Sequence, residues 1–318
     1  MGAGAVVLGA SGYTGGELLR LLARHPAMTL VAAAASSATG RRAGDALPHL
    51  AGVLDVELVG VEDALGAGDV CFSCLPHGVF PEYAGRVAAP VVVDLGDDFR
   101  ADPSWSYGLP ELAGAPGPRV ANPGCYPTAS LLCLAPFARA GLIEGRVVVD
   151  ALSGVSGAGR AAKDHLLFAG MAGGATAYGS VTHRHVAEIE RGLRAFGGLD
   201  AIVSFTPHLV PMARGVLVTA RARLPHTLSD DEALTLLREA YANEPFVQVT
   251  QDWPATKHVS ATNHARVSAR VDARAGLLVC SAAIDNLGKG AAGQAVQNAN
   301  LVLGLDQTTG LEGIAPWP

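Results

Sequence analysis

The chain has 318 residues, 49% hydrophobic and 16% charged, which is enough apolar material to bury a large core in two domains. A net charge of −6 supplies no overall basic field, so nucleic acid and anionic membrane are excluded as general partners. Five cysteines, an odd number in a chain too large to need stapling, read as reduced thiols of a cytoplasmic protein, and no apolar run has the length of a membrane span.

The opening MGAGAVVLGASGYTGG lacks a basic leader and reads as a first strand running into glycines, not as a signal peptide. Gly9, Gly12 and Gly15 follow that strand and open the helical run GGELLRLLARHP, with Ser11, Tyr13 and Thr14 among them. In this setting backbone N–H groups and a helix N-terminus hold a pyrophosphate, although the spacing GxxGxxG departs from GxGxxG and a plain glycine-rich turn is the competing reading. The next strand, TLVAAAASS, bears on the choice of nicotinamide. A cofactor with a free ribose 2′-hydroxyl calls for an Asp or Glu at its end, about 20 residues past the loop. Ser36, Ser37, Thr39, Arg41 and Arg42 stand there instead, donors and positive charge suited to a 2′-phosphate, so NADP(H) is expected over NAD. A solvated basic loop is the alternative.

The alternation of short apolar runs and helical patterns continues through DVCFSCLP, VFPEYAGRVA and PVVVDLG, which argues for βαβ units around a parallel sheet. Cys71 and Cys74 point to opposite faces of VCFSCLP, have no second pair for zinc, and read as core.

The stretch ANPGCYPT then sets Cys125 directly after Gly124 and between Pro123 and Pro127. A helix is expected from Thr128 to Ala140, so the sulfur stands near the positive end of a helix dipole, where a thiolate is favoured. The flanking prolines stiffen the backbone, and nearby N–H groups can form an oxyanion hole. Cys133 and Cys280 read as small buried hydrophobes.

From RVVVDALSGVSG onward the runs lengthen: AIVSFTPHLVPMARGVLVTARARL, FVQVT and HARVSARVDARAGLLVCSAAID suggest a second, mainly antiparallel α+β domain. Ser153, Ser156, Gly157 and Arg160 belong to a hydroxyl- and glycine-rich loop able to wrap an anion, or simply to a surface turn. His183 and His185 lie beside Glu188, imidazoles next to a carboxylate that can orient one of them for acid–base work. A polar helix start capped by Thr182 is an equal reading, and with no third ligand in view no metal is expected. His208 is a second candidate base. SDDEALTLLREAYANEP carries helix-start residues and apolar spacing, and the helical GAAGQAVQNANLVLG returns to the first domain. The expected division is 1–146 with 289–318, a Rossmann-type α/β dinucleotide-binding domain, and 147–288, an α+β domain.

GASGYTGGELLRLL, YGLPE, ANPGCYPT, SGVSGAGR, THRHVAEIE, PHLVPMARG and DNLGKGAAGQAVQN, in order over nearly the full chain, resemble the N-acetyl-gamma-glutamyl-phosphate reductases of arginine biosynthesis. The wider resemblance is to aspartate-semialdehyde dehydrogenase and, more remotely, glyceraldehyde-3-phosphate dehydrogenase. It implies that Cys125 attacks an acyl phosphate, that inorganic phosphate leaves, and that NADPH reduces the resulting thioester to N-acetylglutamate 5-semialdehyde. By the same resemblance the His183–Glu188 segment is the acid–base region, with His185 supported by Glu188 favoured. SGVSGAGR, with Asn122 beside the thiol, holds the acyl phosphate, and Asn286 and Lys289 approach the cofactor. A homotetramer or homodimer built through the second domain is implied as well. The segment after the second strand and the lead-in to the thiol are short for this family. Two alternatives stand beside this reading: the lysine-biosynthesis branch, which reduces a carrier-bound aminoadipyl phosphate and would use a basic rim such as Arg160, Lys163, Arg184 and Arg214, and a non-catalytic NADP-binding sensor.

Overall fold

The computed structural model describes residues 2–317, and the chain separates into two compact units, Met1–Pro123 with Ala291–Glu312 and Gly124–Gly290 with Gly313–Pro318.

In the first unit, β1 (Ala3–Leu8), β2 (Met28–Ala34), β3 (Leu58–Val59), β4 (Val70–Ser73), β5 (Val91–Asp94), β6 (Ser106–Tyr107) and β7 (Arg119–Ala121) form one sheet in the order β3-β2-β1-β4-β5-β7-β6. Every pairing in it is parallel. Its inner strands are continuous apolar runs, as burial on both faces demands; β4 and β5 are buried at every position. Helix α1 (Tyr13–Leu22) turns Leu18, Leu19 and Leu22 inward. The C-terminal helix Gly293–Val302 returns to this unit and is tied in by buried amides, Asn298 Nδ2 donating to the Gly108 carbonyl at 2.9 Å and to Asn122 Oδ1 at 3.0 Å.

The second unit holds β8 (Arg146–Gly154), β9 (Thr176–Ala177), β10 (Ile202–Val210), β11 (Val216–Arg223), β12 (Val247–Val249), β13 (Ala265–Asp272) and β14 (Leu277–Ile284), in the order β12-β13-β14-β11-β8-β10-β9. The sheet is mixed: β8 runs parallel to β10 and β12 parallel to β13, and the other pairs are antiparallel. The long run from 201 to 224 is two strands that flank β8 and do not pair with each other, because Pro211 to Gly215 breaks it and Gly215 adopts φ +118°.

Helices α2 (Cys125–Arg139), α3 (His185–Gly197) and α4 (Asp230–Ala240) lie in this unit. Every α2 residue from Tyr126 to Ala138 is buried, so this helix packs against the second sheet and not, as its place after the last parallel strand suggests, within the first domain. Pro136 in mid-helix frees the Leu132 carbonyl, and the Tyr241 hydroxyl fills the gap, donating to it at 2.6 Å. Ser229 and Glu232 complete a reciprocal capping box at the start of α4.

Along β8 and β10 the faces alternate. Val147, Val149, Ala151 and Phe205 are buried, while Val148, Leu152 and Ile202 are exposed on the opposite face.

Candidate active site

Gly9, with φ +80°, ends β1 under the Cys74 carbonyl, where a Cβ would stand 2.5 Å from the oxygen. A Cβ on Gly15 would run into the Gly9 carbonyl oxygen. These two glycines let the loop close on the strand. Gly12 differs: a Cβ there would meet only the Gly9 oxygen, at 3.5 Å, and Gly12 is the N-cap of α1 with no side-chain cap. An open approach to the uncapped N-terminus of a ten-residue helix suits a pyrophosphate. Ser11 Oγ lies 3.3 Å from Ser37 Oγ, which joins this loop to the end of β2. Ser36, Ser37 and Arg41 are exposed there, Arg41 donating to the Asp45 carbonyl at 2.7 Å, and Tyr13 is exposed beside Thr14. No carboxylate occupies the β2 end, so the residues present fit a 2′-phosphorylated dinucleotide.

At the carboxyl ends of β4 and β5, a place where ligands of parallel sheets bind, His77 Nδ1 lies 2.7 Å from an oxygen of Asp97 and 2.7 Å from one of Asp98. This group, the one cluster among the described residues that could hold a metal ion, went unread in the sequence because its members are 20 residues apart. Burial pushes the nearby Cys71 thiol up to about 12, and does the same in direction to Cys74, with the Asp94 charge adding to both. Both thiols therefore stay protonated at neutral pH, Cys71 in the core and Cys74 half-buried at its edge.

In the second unit Cys125 is the first residue of α2, three residues earlier than the expected start. Pro127 is accommodated because the first turn needs no internal N–H bonds. The sulfur thus stands at the positive end of a 15-residue helix, an electrostatic setting that favours a thiolate. Gly290 leaves room for it: a Cβ there would lie 2.8 Å from the Cys125 Cβ.

Helix packing sets both imidazoles against Tyr126, the residue that follows Cys125. Gly192 of α3 seats Leu131 of α2, and Gly197 seats Ala138. The contacts advance together along both helices, so α2 and α3 run parallel with their N-termini side by side. Glu188, buried one turn into α3, accepts from the Gly124 N–H at 2.9 Å and so pins the residue that precedes Cys125. His185 opens α3 and is buried, and its N–H donates to His183 Nδ1 at 3.2 Å, which fixes the His183 tautomer. Thr182 does not cap the helix; Arg184 holds that position and makes no side-chain cap bond to the helix N-terminus. The His183 ring packs edge-on to Tyr126, Tyr178 and Phe205, with centroids 5.7, 5.8 and 5.3 Å apart. Burial, and next the Arg184 charge, hold its imidazole below the ordinary value, while Glu188 opposes them. The ring is therefore a neutral base at pH 7. Tyr126 and Tyr178 share a hydroxyl–hydroxyl bond of 2.9 Å, and burial raises both phenols. Tyr126 was in plain view within ANPGCYPT, but its partner lies 52 residues away.

Several expected residues are placed differently. His208 shares a face with Leu152, its register partner, opposite to Phe205 and the imidazoles, so it stays apart from the thiol. Asn122 is buried and its amide is engaged within the first unit, donating to the Ala291 carbonyl at 3.2 Å and accepting from Asn298. The loop after β8 is not an open N–H cradle, because the N–H groups of Gly154, Val155 and Ser156 go to the carbonyls of Gly215, Met212 and Ala213. Its polarity comes from buried Ser153, from Ser156 and from exposed Arg160, with Gly157 exposed between them. Asn286 braces this loop, donating to Ser156 Oγ at 2.9 Å and accepting from the Gly215 N–H at 2.7 Å. Lys289 is fully buried over the Phe246 ring, 5.4 Å from its centroid. Asn286 and Lys289 thus serve the second unit's interior and do not stand open to a cofactor.

Residues 5–116 match the family described as semialdehyde dehydrogenase, NAD binding domain, and residues 125–286 match semialdehyde dehydrogenase, dimerisation domain. The chain is 45% identical over 340 residues to a Micrococcus luteus protein named N-acetyl-gamma-glutamyl-phosphate reductase, covering 98% of each. It is 46% identical over 344 residues to a protein of that name from Salinispora tropica, covering 99% of this chain and 100% of the relative. Among solved structures it resembles aspartate semialdehyde dehydrogenase II from Vibrio cholerae, with TM-score 0.76 at 17% identity, covering 95% of this chain and 98% of that one. It is also similar to the Candida albicans aspartate semialdehyde dehydrogenase solved with NADP, with TM-score 0.73 at 19% identity, covering 95% and 99%.

Proposed function

The chain belongs to the N-acetyl-gamma-glutamyl-phosphate reductase family of semialdehyde dehydrogenases, and on that premise we propose how its residues carry the reaction. The reaction is the NADPH-dependent reduction of N-acetyl-gamma-glutamyl phosphate to N-acetylglutamate 5-semialdehyde and inorganic phosphate, a step of arginine biosynthesis. The Cys125 thiolate attacks the acyl carbon, a C–S bond forms, and the C–O bond to phosphate breaks to leave a thioester. NADPH, when bound, supplies the hydride that reduces this thioester, and release of the aldehyde restores the thiol.

The observation that carries the assignment is Cys125 as the first residue of α2 with Glu188 gripping the N–H of Gly124. Glu188 and the α2 N-terminus hold the sulfur in place, so they act on rate by positioning. Proton transfers fall to the His183–His185 pair at the head of α3, where His183 is neutral at pH 7. Ser153, Ser156 and Arg160 bind the phosphate moiety of the substrate, which then leaves as inorganic phosphate. Gly12 and the uncapped N-terminus of α1 take the pyrophosphate, and Ser36, Ser37 and Arg41 take the 2′-phosphate.

The protein works as a homodimer or homotetramer joined through the helix-free face of the second sheet, where Val148, Leu152 and Ile202 are exposed. No disulfide joins any of the five cysteines, which suits the cytoplasm. Among the described residues no helix is long and apolar enough to cross a membrane.

The test is oxidation of N-acetylglutamate 5-semialdehyde with NADP and phosphate. Wild type turns over, and Cys125→Ser loses more than roughly a thousandfold, in the range of lost nucleophiles. Retained phosphate-dependent turnover in Cys125→Ser refutes the assignment.

A further inference from the structure

At the β12–β13 edge of the second unit lies a cavity of about 330 Å³, at the small end of the range for small-molecule sites. Its lining is of two kinds, the polar and basic Gln248 of β12, Lys257, His264 and Arg266, and the apolar Ile314 and Trp317 of the segment 313–317. Arg266 Nε donates to Gln248 Oε1 at 3.0 Å, a neutral partner that aims the guanidinium without cancelling its charge. His264 Nδ1 is buried without a hydrogen-bond partner, in the field of two positive groups, Lys289 and Arg266. Ile314 and Trp317 are 93% and 77% exposed, apolar surface left in water beside these basic groups.

We propose that this cavity binds a small organic anion, with its carboxylate or phosphate against Lys257 and Arg266 and a short apolar body against Ile314 and Trp317. A guanidinium with a neutral brace, beside a lysine, recognises such a head group by charge-assisted hydrogen bonds, and Ile314 and Trp317 cover the rest by apolar contact. Gln248 and Arg266 stand on β12 and β13, four and three strands from β8 in the sheet order. The inference goes beyond the reductase reaction and does not depend on it.

Calorimetric titration of the full chain with hexanoate, phenyl phosphate and the neutral hexanamide tests this, with tryptophan fluorescence locating the event. The expected result is one saturable site per chain for at least one anion and none for hexanamide, and comparison of the two anions tells which head group is preferred. Lys257→Gln with Arg266→Gln weakens that binding by roughly tenfold or more, the scale of lost charged hydrogen bonds, while reductase turnover is unchanged. The exposed Lys257→Gln alone gives a smaller loss and serves should the double variant misfold. Trp317→Phe removes the fluorescence change. Failure of both anions to saturate, equal binding of hexanamide, undiminished affinity in the lysine and arginine variants, or a fluorescence change that persists in Trp317→Phe would each overturn the proposal.

Discussion

Asp94 is fully buried at the end of β5, with its Oδ1 accepting from the Gly96 N–H at 3.2 Å. Burial raises its carboxyl to about 6, against smaller opposing pulls from the Gly96 N–H, Ser73 and Arg100. An acid raised on folding holds its proton in the native state after the unfolded chain has lost it. Stability therefore falls as pH rises from about 4 to about 6, and the cost persists above that window, on the order of 2–3 kcal/mol. Asp94→Asn is expected to raise stability by roughly 1–3 kcal/mol at pH 8 and to flatten the slope between pH 4 and 6, as read from urea midpoints. An unchanged slope would mean that Asp94 titrates normally. At this scale Cys125 was legible because Gly124 and two prolines mark a backbone held for a purpose. The grip of Glu188 on Gly124 was not, because the two residues are 64 apart and local pattern carries no such pairing. The same blindness kept His208 among the candidate bases. Only the β10 register against β8 shows that it faces the other side of the sheet.

Among the elements, the dinucleotide loop separates structural from functional glycines. Gly15 has no room for a Cβ beside the Gly9 carbonyl, whereas Gly12 has open space. Gly15→Ala should cost several kcal/mol, as overpacking against rigid backbone does, while Gly12→Val should leave the melting temperature within a few degrees and yet reduce NADPH affinity by at least roughly tenfold. Thermal unfolding and NADPH fluorescence titration on both variants would check this. Loss of stability in Gly12→Val, or full cofactor affinity, would contradict the assignment of Gly12 to the pyrophosphate. The parallel sheet, the capped α4 and the returning C-terminal helix were readable from period, caps and composition. The start of α2 at Cys125 was not, since Pro127 looks like a helix break until its place in the first turn is seen. The split of the 201–224 run was hidden too, because two strands separated by a five-residue turn usually pair, and here β8 lies between them.

For the whole molecule, the exposed apolar face of the second sheet predicts self-association. Val148 and Ile202, 44% and 66% exposed, should lose that contact on Val148→Asp with Ile202→Asp, and light scattering should report a mass reduced to that of one chain. A wild type that is monomeric, or a variant of unchanged mass, would place the interface elsewhere. The sequence could not locate this face, because alternation along β8 fixes two sides without saying which one the helices cover. Thioester formation between Cys125 and the acyl group is tested by mixing enzyme with N-acetyl-gamma-glutamyl phosphate in the absence of NADPH and analysing phosphate and peptides after a rapid quench. A burst of about one phosphate per active site is expected, with an acyl adduct on the Cys125 peptide that vanishes on adding NADPH. Turnover without any adduct at Cys125, or an adduct at another residue, would contradict it.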